Sequence, residues 1–333
     1  MNITIRGLQL LRKSHRHFSL ITLLTLTASL IISCASVQNR STVSSSPIAS
    51  PSQEATTAAS TPALNQSMVL IPASNYTIGS DASADSRPVH QVSLRAFRID
   101  RYEVTNAQYA EFLNSLGLQP LQDAAAGEVR DRNLPQSAVS QLIEGVEGRQ
   151  QQPLIALDDE HTRIGIYNGK FVAQSGYENH PVTETTWRGA SEFCRWRNTR
   201  LPTEVEWEAA ARGVEGRIYP WGNEPPTTNQ VVYGRASGET SPVGTHDAGA
   251  SPDGIHDMAG NVAEWTSSLY RPYPYNPDDG REQLDNRGER VTRGGDHVFD
   301  SSADKLTTHF RTGFSRAPDR GHRHIGFRCA ESI

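Results

Sequence analysis

Asp257-Met258-Ala259-Gly260-Asn261-Val262-Ala263-Glu264-Trp265 sets two carboxylates seven residues apart, with a glycine and bare backbone between them. Ca²⁺ takes roughly six to eight oxygens and mixes carboxylates with backbone carbonyls, so a bent segment of this kind can wrap a hard cation. The same pattern also describes a solvated turn between two acids. Its surroundings decide which.

Upstream stand Leu201-Pro202-Thr203-Glu204-Val205-Glu206-Trp207-Glu208, Tyr219-Pro220-Trp221-Gly222 and Thr240-Ser241-Pro242-Val243-Gly244. Downstream come Arg293-Gly294-Gly295 and Ile325-Gly326-Phe327-Arg328-Cys329. This ordered set, from about Met68 to Cys329, resembles the formylglycine-generating enzyme family, also called the sulfatase-modifying factor family. The resemblance implies an α+β, C-type-lectin-like fold with low regular secondary structure, braced by calcium. It implies one calcium site on the Asp257 and Glu264 side chains and the Gly260 and Val262 carbonyls. A second would use Asn229 and Gln230, although the usual aspartate has no clear counterpart in the short loop from Gly234 to Glu239.

Composition narrows the function classes. The net charge is −5, and becomes roughly −9 once the basic residues Arg6, Arg12, Lys13 and Arg16 are removed with a leader segment. A mildly acidic protein of this kind does not advertise nucleic-acid binding. Lysine occurs only at positions 13, 170 and 305, which leaves few candidates for Schiff-base chemistry.

Residues 1–33 have the anatomy of a secretory signal, with a basic start and an apolar run from Phe18 to Ile32. The run closes on Leu30-Ile31-Ile32-Ser33-Cys34-Ala35, which resembles a bacterial lipoprotein signal with Cys34 as the lipidated residue. An uncleaved anchor helix is the other reading. Both put the domain outside the cytoplasm at the cell envelope, on the periplasmic or outer surface, held to the membrane through that anchor. Residues 34–66 are Ser, Thr, Ala, Pro and Gln, too poor in apolar bulk to offset ordering entropy, and are expected to be a disordered tether.

The folded domain is expected over residues 67–331, with a polar surface insertion at about 118–152 that carries one possible short helix. Met68 to Pro72, Tyr76 to Ser80 and Val89 to Leu94 read as strands. Thr105 with Gln108, and Thr203 with Glu206, have capping-box spacing and predict helices, the second stopping at Gly213. Trp187 to Arg197 predicts another helix, and Asn168-Gly169 predicts a type I′ turn in a hairpin over 163–172.

Of three cysteines, Cys34 sits at the leader junction and Cys194 and Cys329 remain. That pair reads as a disulfide in an oxidising compartment or as two buried thiols in a reducing one. The family resemblance implies a Cys194–Cys329 bridge.

Active members of the family oxidise a cysteine of a nascent sulfatase to formylglycine with two cysteines that bind copper(I), a soft ion suited to thiolates. Here the interval from Asp296 to Arg311 holds no cysteine. Counting back from the C-terminal motif puts Ser302 and Thr307 at the two positions, and counting forward from Gly295 puts Phe299 and Asp304 there. No copper is expected. The family's pocket tryptophan before Glu-Trp is Ala263, and its Gly-Gly-Ser-aromatic run is Gly294-Gly295-Asp296-His297. In place of thiols stand His297, His309, His322 and His324, with Asp296, Asp304 and Arg311 nearby. Imidazole and carboxylate suit iron or zinc, although no spacing here is a metal signature. The expectation is a binding or accessory module for a peptide, glycan or partner protein. The alternatives are an oxidoreductase using the Asp296, His297, His309, Arg311, His322, His324 pocket on a peptide or secreted metabolite, and, third, sulfatase activation.

Overall fold

A computed structural model describes residues 67–117, 153–235, 238–313 and 317–333. The expected leader at 1–33, the tether at 34–66, the lipidation residue Cys34 and the insertion at 118–152 lie outside the described residues. No helix among the described residues is long and apolar enough to cross a membrane.

The two ends of the domain are stitched together. Strand β1 (Met68–Ile71) and strand β11 (Ala330–Ser332) both pair antiparallel with β4 (Phe97–Asp100), so Met68 faces Asp100 and Ala330 faces Ile99. Strands β2 (Ser74–Ile78) and β3 (His90–Leu94) form a two-stranded ribbon. A second ribbon joins β5 (Ile164–Tyr167) to β6 (Lys170–Ala173) through Asn168 and Gly169, both at positive φ (49° and 72°), as the Asn-Gly pair predicts. The remaining sheet runs β10 (Ile325–Gly326), β7 (Ala263–Leu269), β8 (Arg290–Arg293) and β9 (Arg311–Thr312).

Among the described residues three α-helices pack against these sheets. Helix α1 (Asn106–Ser115) begins with the reciprocal cap the sequence predicts: Gln108 N donates to Thr105 Oγ1 (3.4 Å) and Thr105 N to Gln108 Oε1 (2.9 Å). Helix α2 (Trp187–Trp196) presents Ala190, Phe193 and Cys194 to the core, while Arg197 just beyond its end pairs with buried Asp100. Helix α3 (Glu204–Arg212) has the second capping box, on Thr203 and Glu206, and stops at Gly213 with φ 65°. One core gathers Tyr109, Phe112, Phe193 and Phe327 with ring centroids 5.3 to 6.1 Å apart. A second lays Val205, Trp207 and Ala209 to Ala211 of α3 against β1, β2 and β4. Cys194 and Cys329 are bonded at a Cα–Cα distance of 5.6 Å and tie the end of α2 to the C-terminal motif.

Short strands leave many loop carbonyls without ladder partners, and buried carbonyls need donors. Arginine supplies five in a rigid fork. Arg293 donates to the carbonyls of Thr308 and Phe310, Arg328 to those of Asp100, Arg101 and His256, and Arg290 to those of Ser267, Leu284 and Asn286. Carboxylates compensate most of these charges: Glu208 holds Arg212 and Arg293, and Glu204 holds Arg281 and Arg311. Arg290 donates to carbonyls and lies over the Trp187 face at 3.9 Å, and burial lowers its pKa to about 10 against the opposing charge of Glu282.

Candidate functional site

The Asp257 to Glu264 segment is a tight bend leading into β7. Asp257, Gly260 and Asn261 all take positive φ (56°, 70° and 56°). Gly260 is required on space as well, since a Cβ there would sit 2.3 Å from the Val232 carbonyl oxygen. The bend turns both acids inward. Asp257 accepts from Gly244 N at 2.6 Å, and Glu264 accepts from Trp207 Nε1 at 2.9 Å and from Arg328 at 2.6 and 2.7 Å.

A third acid, which sequence reasoning missed, joins them. Glu103 is buried beneath the bend, where it accepts from Asn261 Nδ2 (2.7 Å) and Val262 N (3.3 Å). Burial pushes its pKa well up, the charges of Asp257 and Glu264 add to this, and Arg328 pulls the other way. Burial likewise raises Asp257 against the Gly244 N–H and Arg328. Three inward carboxylates thus face one guanidinium, an arrangement short of positive charge. The carbonyls of Gly260 and Val262 accept no hydrogen bond among the described residues. The oxygens of Asp257 and Oε1 of Glu264 also retain lone pairs, because a carboxylate offers about four acceptor positions, whereas Glu264 Oε2 has taken two donors. Carbonyl and carboxylate oxygens in this state are donors of the kind a hard cation takes. The sequence marks Glu103 only as one of two acids, with Asp100, in the approach to α1.

At the second expected calcium position Asn229 is exposed. The Gln230 side chain accepts from the Thr227 backbone and hydroxyl, and its carbonyl is pressed against Gly249, where a Cβ would lie only 1.9 Å away.

The histidines that cluster in sequence are held by different partners. His297 sets its ring nitrogens on the carbonyls of Asn261 (2.6 Å) and Gly238 (3.1 Å), and burial lowers its pKa. Asp296 is spent locally: Oδ1 accepts from Val298 N and Phe299 N, while Oδ2 is buried with no partner among the described residues. His322 and His324 do meet, with ring centroids 5.7 Å apart, and Phe299 packs on His324 at 4.7 Å. Arg311 is drawn into the core by Glu204 (2.9 and 3.0 Å) and lies over Tyr270 and Tyr273. No three His, Cys, Asp or Glu side chains among the described residues converge as a metal site. Of the six expected pocket residues, His309 and Arg311 share a cleft whose lining includes none of Asp296, His297, His322 and His324.

His309 and Arg311 line instead a cleft of about 780 Å³ between residues 80–85, the Ile218–Tyr219 turn and residues 300–312. Thr307, at one of the two thiol positions by backward counting, is on its wall. Ser302, the other, precedes the short 3₁₀ turn Ala303–Leu306.

Glu184 is a further perturbed acid. It is buried at φ 60° near Asp159, and burial, then the charges of Asp159 and Asp158, push its pKa from 4.5 up to about 8 against Arg323. Between those values the folded protein keeps a proton that the unfolded chain has lost, so this group's contribution falls as pH rises from 4.5 to 8. Glu184→Gln should flatten that decline and raise stability at pH 8, read from urea midpoints across the pH series.

Comparison with known proteins adds four findings. The profile of the Sulfatase-modifying factor enzyme 1-like domain matches residues 53–333. The chain is 30% identical over 299 residues to the Inactive C-alpha-formylglycine-generating enzyme 2 of Mus musculus, covering 81% of this chain and 87% of that protein. It is 33% identical over 273 residues to the Serine/threonine-protein kinase pkn1 of Chlamydia caviae, covering 80% of this chain but spanning only 38% of the kinase's length. The solved structure of PvdO from Pseudomonas aeruginosa superposes with a TM-score of 0.54 at 24% identity, over 80% of this chain and 94% of that one, which speaks to the fold.

Proposed function

We propose that this chain, which belongs to the sulfatase-modifying factor family of formylglycine-generating enzymes, works as a binding or accessory module and not as a copper oxidase. The observation that carries this reading is the sulfur inventory. The chain has three cysteines, and Cys194 and Cys329 are joined to each other, so no thiolate pair stands in the 296–311 interval to hold copper(I). The mouse relative whose name calls it inactive fits the same reading.

Calcium belongs to the proposal as a brace. Asp257, Glu264 and the Gly260 and Val262 carbonyls would hold it, and it would supply the positive charge that the buried acids call for. So does localisation: lipidation at Cys34 would hold the domain outside the cytoplasm, where a disulfide persists and a peptide, glycan or partner protein of the envelope is within reach.

The test is direct. The purified protein, supplied with copper(I) and oxygen, is incubated with a cysteine-containing sulfatase peptide and the product read by mass spectrometry. The peptide should keep its thiol. Formylglycine in the product would overturn the proposal.

A further inference from the structure

Three separate segments meet at residue 184. The Glu184 N–H donates to the His322 carbonyl (3.1 Å), and the Glu184 carbonyl accepts from Ala156 N (2.9 Å). Gly321 is pressed so closely against it that a Cβ there would lie 2.4 Å from the Glu184 carbonyl oxygen and 2.6 Å from Oε2. The residue is held at φ 60° and is only 3% exposed. Neighbours on two sides fix it in place.

The Glu184 and Asp159 carboxyls stand within hydrogen-bonding reach of each other. Ionised carboxylates only accept, so this contact requires one proton between them. Asp159 Oδ1 already accepts from His161 N at 2.8 Å, whereas the Glu184 carboxyl has no other hydrogen-bond partner among the described residues. The proton therefore sits on Glu184, as the rise of its pKa to about 8 also indicates. Asp159 and Asp158, both on the turn 157–161, oppose its ionisation, and Arg323 favours it.

The turn is otherwise lightly held. Asp158, Asp159 and Glu160 are exposed, and Leu157 packs partly buried against the aromatic core. His161 Nε2 accepts from Arg323 Nη1 at 3.2 Å, since a guanidinium can only donate. Arg323 in turn lies 5.0 Å over the ring of Phe299, which is 56% exposed.

We propose that the proton shared by Glu184 and Asp159 is a latch: it fastens the 157–161 turn onto residue 184, and its loss frees the turn while residue 184 stays in place. Without the proton, two carboxylates face each other with Asp158 nearby, and like charges repel. The buried partner is clamped by backbone bonds, so the exposed one moves. His161 leaves with the turn. Arg323 becomes the counter-ion of the ionised Glu184 and uncovers the Phe299 face. Glu184 binds its proton more tightly in the latched state than at its ordinary 4.5, so the latch is firm in acid and lost as pH rises through about 8.

Amide hydrogen exchange of the full chain tests the latch, read on peptides covering residues 154–163 and expressed at each pH as a ratio to Glu184→Gln. The glutamine amide donates to Asp159 at every pH, so that variant stays latched, and the ratio removes the intrinsic pH dependence of exchange. From about pH 6 to about pH 9 the ratio should rise at least about tenfold and then level off. Low urea should leave these rates unchanged, as expected of local opening and not of global unfolding. Asp159→Asn, at an exposed position, lets an amide donate to ionised Glu184 and should cut the rise to less than about twofold. The carboxyl carbon resonance of Glu184 should titrate well above the ordinary glutamate range in the natural sequence. A ratio flat across the pH series, a full rise retained in Asp159→Asn, or a Glu184 carboxyl that titrates in the ordinary range would overturn the inference.

Discussion

Arg328→Met should destabilise the protein by about 3–5 kcal/mol, read as a fall in the urea midpoint at constant slope. Arg328 is fully buried and grips both oxygens of Glu264 at 2.6 and 2.7 Å, while Trp207 Nε1 takes the third contact at 2.9 Å. Burial works against the arginine's charge, yet Glu264 beside it holds the guanidinium pKa above its ordinary value. Methionine fills similar volume and supplies no donors. It would strand Glu264 beside two further acids, Glu103 and Asp257, and strip donors from the Asp100, Arg101 and His256 carbonyls. The large expected cost comes from this stranded charge. Adding Glu264→Gln to Arg328→Met should therefore recover part of the loss, a non-additivity that distinguishes the charge effect from lost packing.

Opening the Cys194–Cys329 bond should have the second large effect. The bond closes a sequence separation of 135 residues. Loop-closure entropy for a loop of this size sets a ceiling of about 4–5 kcal/mol, which native strain and residual structure in the unfolded chain reduce. Both cysteines are fully buried in the aromatic core, so Cys194→Ala with Cys329→Ala keeps the small apolar character of the site and isolates the cross-link. The expected result is a midpoint well below that of the oxidised protein, with reductant having no further effect on the double variant. Two alkylatable thiols in the unfolded, non-reduced native protein would refute the bridge.

The parts of the fold legible in the sequence are those set by neighbours along the chain. Thr105 and Gln108, Thr203 and Glu206, and Asn168 with Gly169 each specify their turn or cap within four residues, and the structure forms all three. The Asp257 to Glu264 segment is legible as a bend for the same reason. Its partners are not, because Glu103 bonds Asn261 across 158 positions and Arg328 reaches Glu264 across 64. The histidines mislead because proximity in sequence implies proximity in space only along a regular element. His322 and His324 lie before the two-residue strand Ile325–Gly326, and His309 follows a 3₁₀ turn and lines the cleft with Arg311. Arg311 reads as a pocket residue until Glu204, 107 positions away, is seen to hold it. Long-range ion pairs of this kind leave no periodic trace.

Metal analysis of the natively expressed protein, purified without chelator, tests the account most directly. A calcium-braced module without copper chemistry should contain about one calcium per chain, only traces of copper, iron and zinc, and a melting temperature that falls on chelation and recovers with calcium. Stoichiometric copper, iron or zinc, or a melting temperature indifferent to chelation, would contradict it.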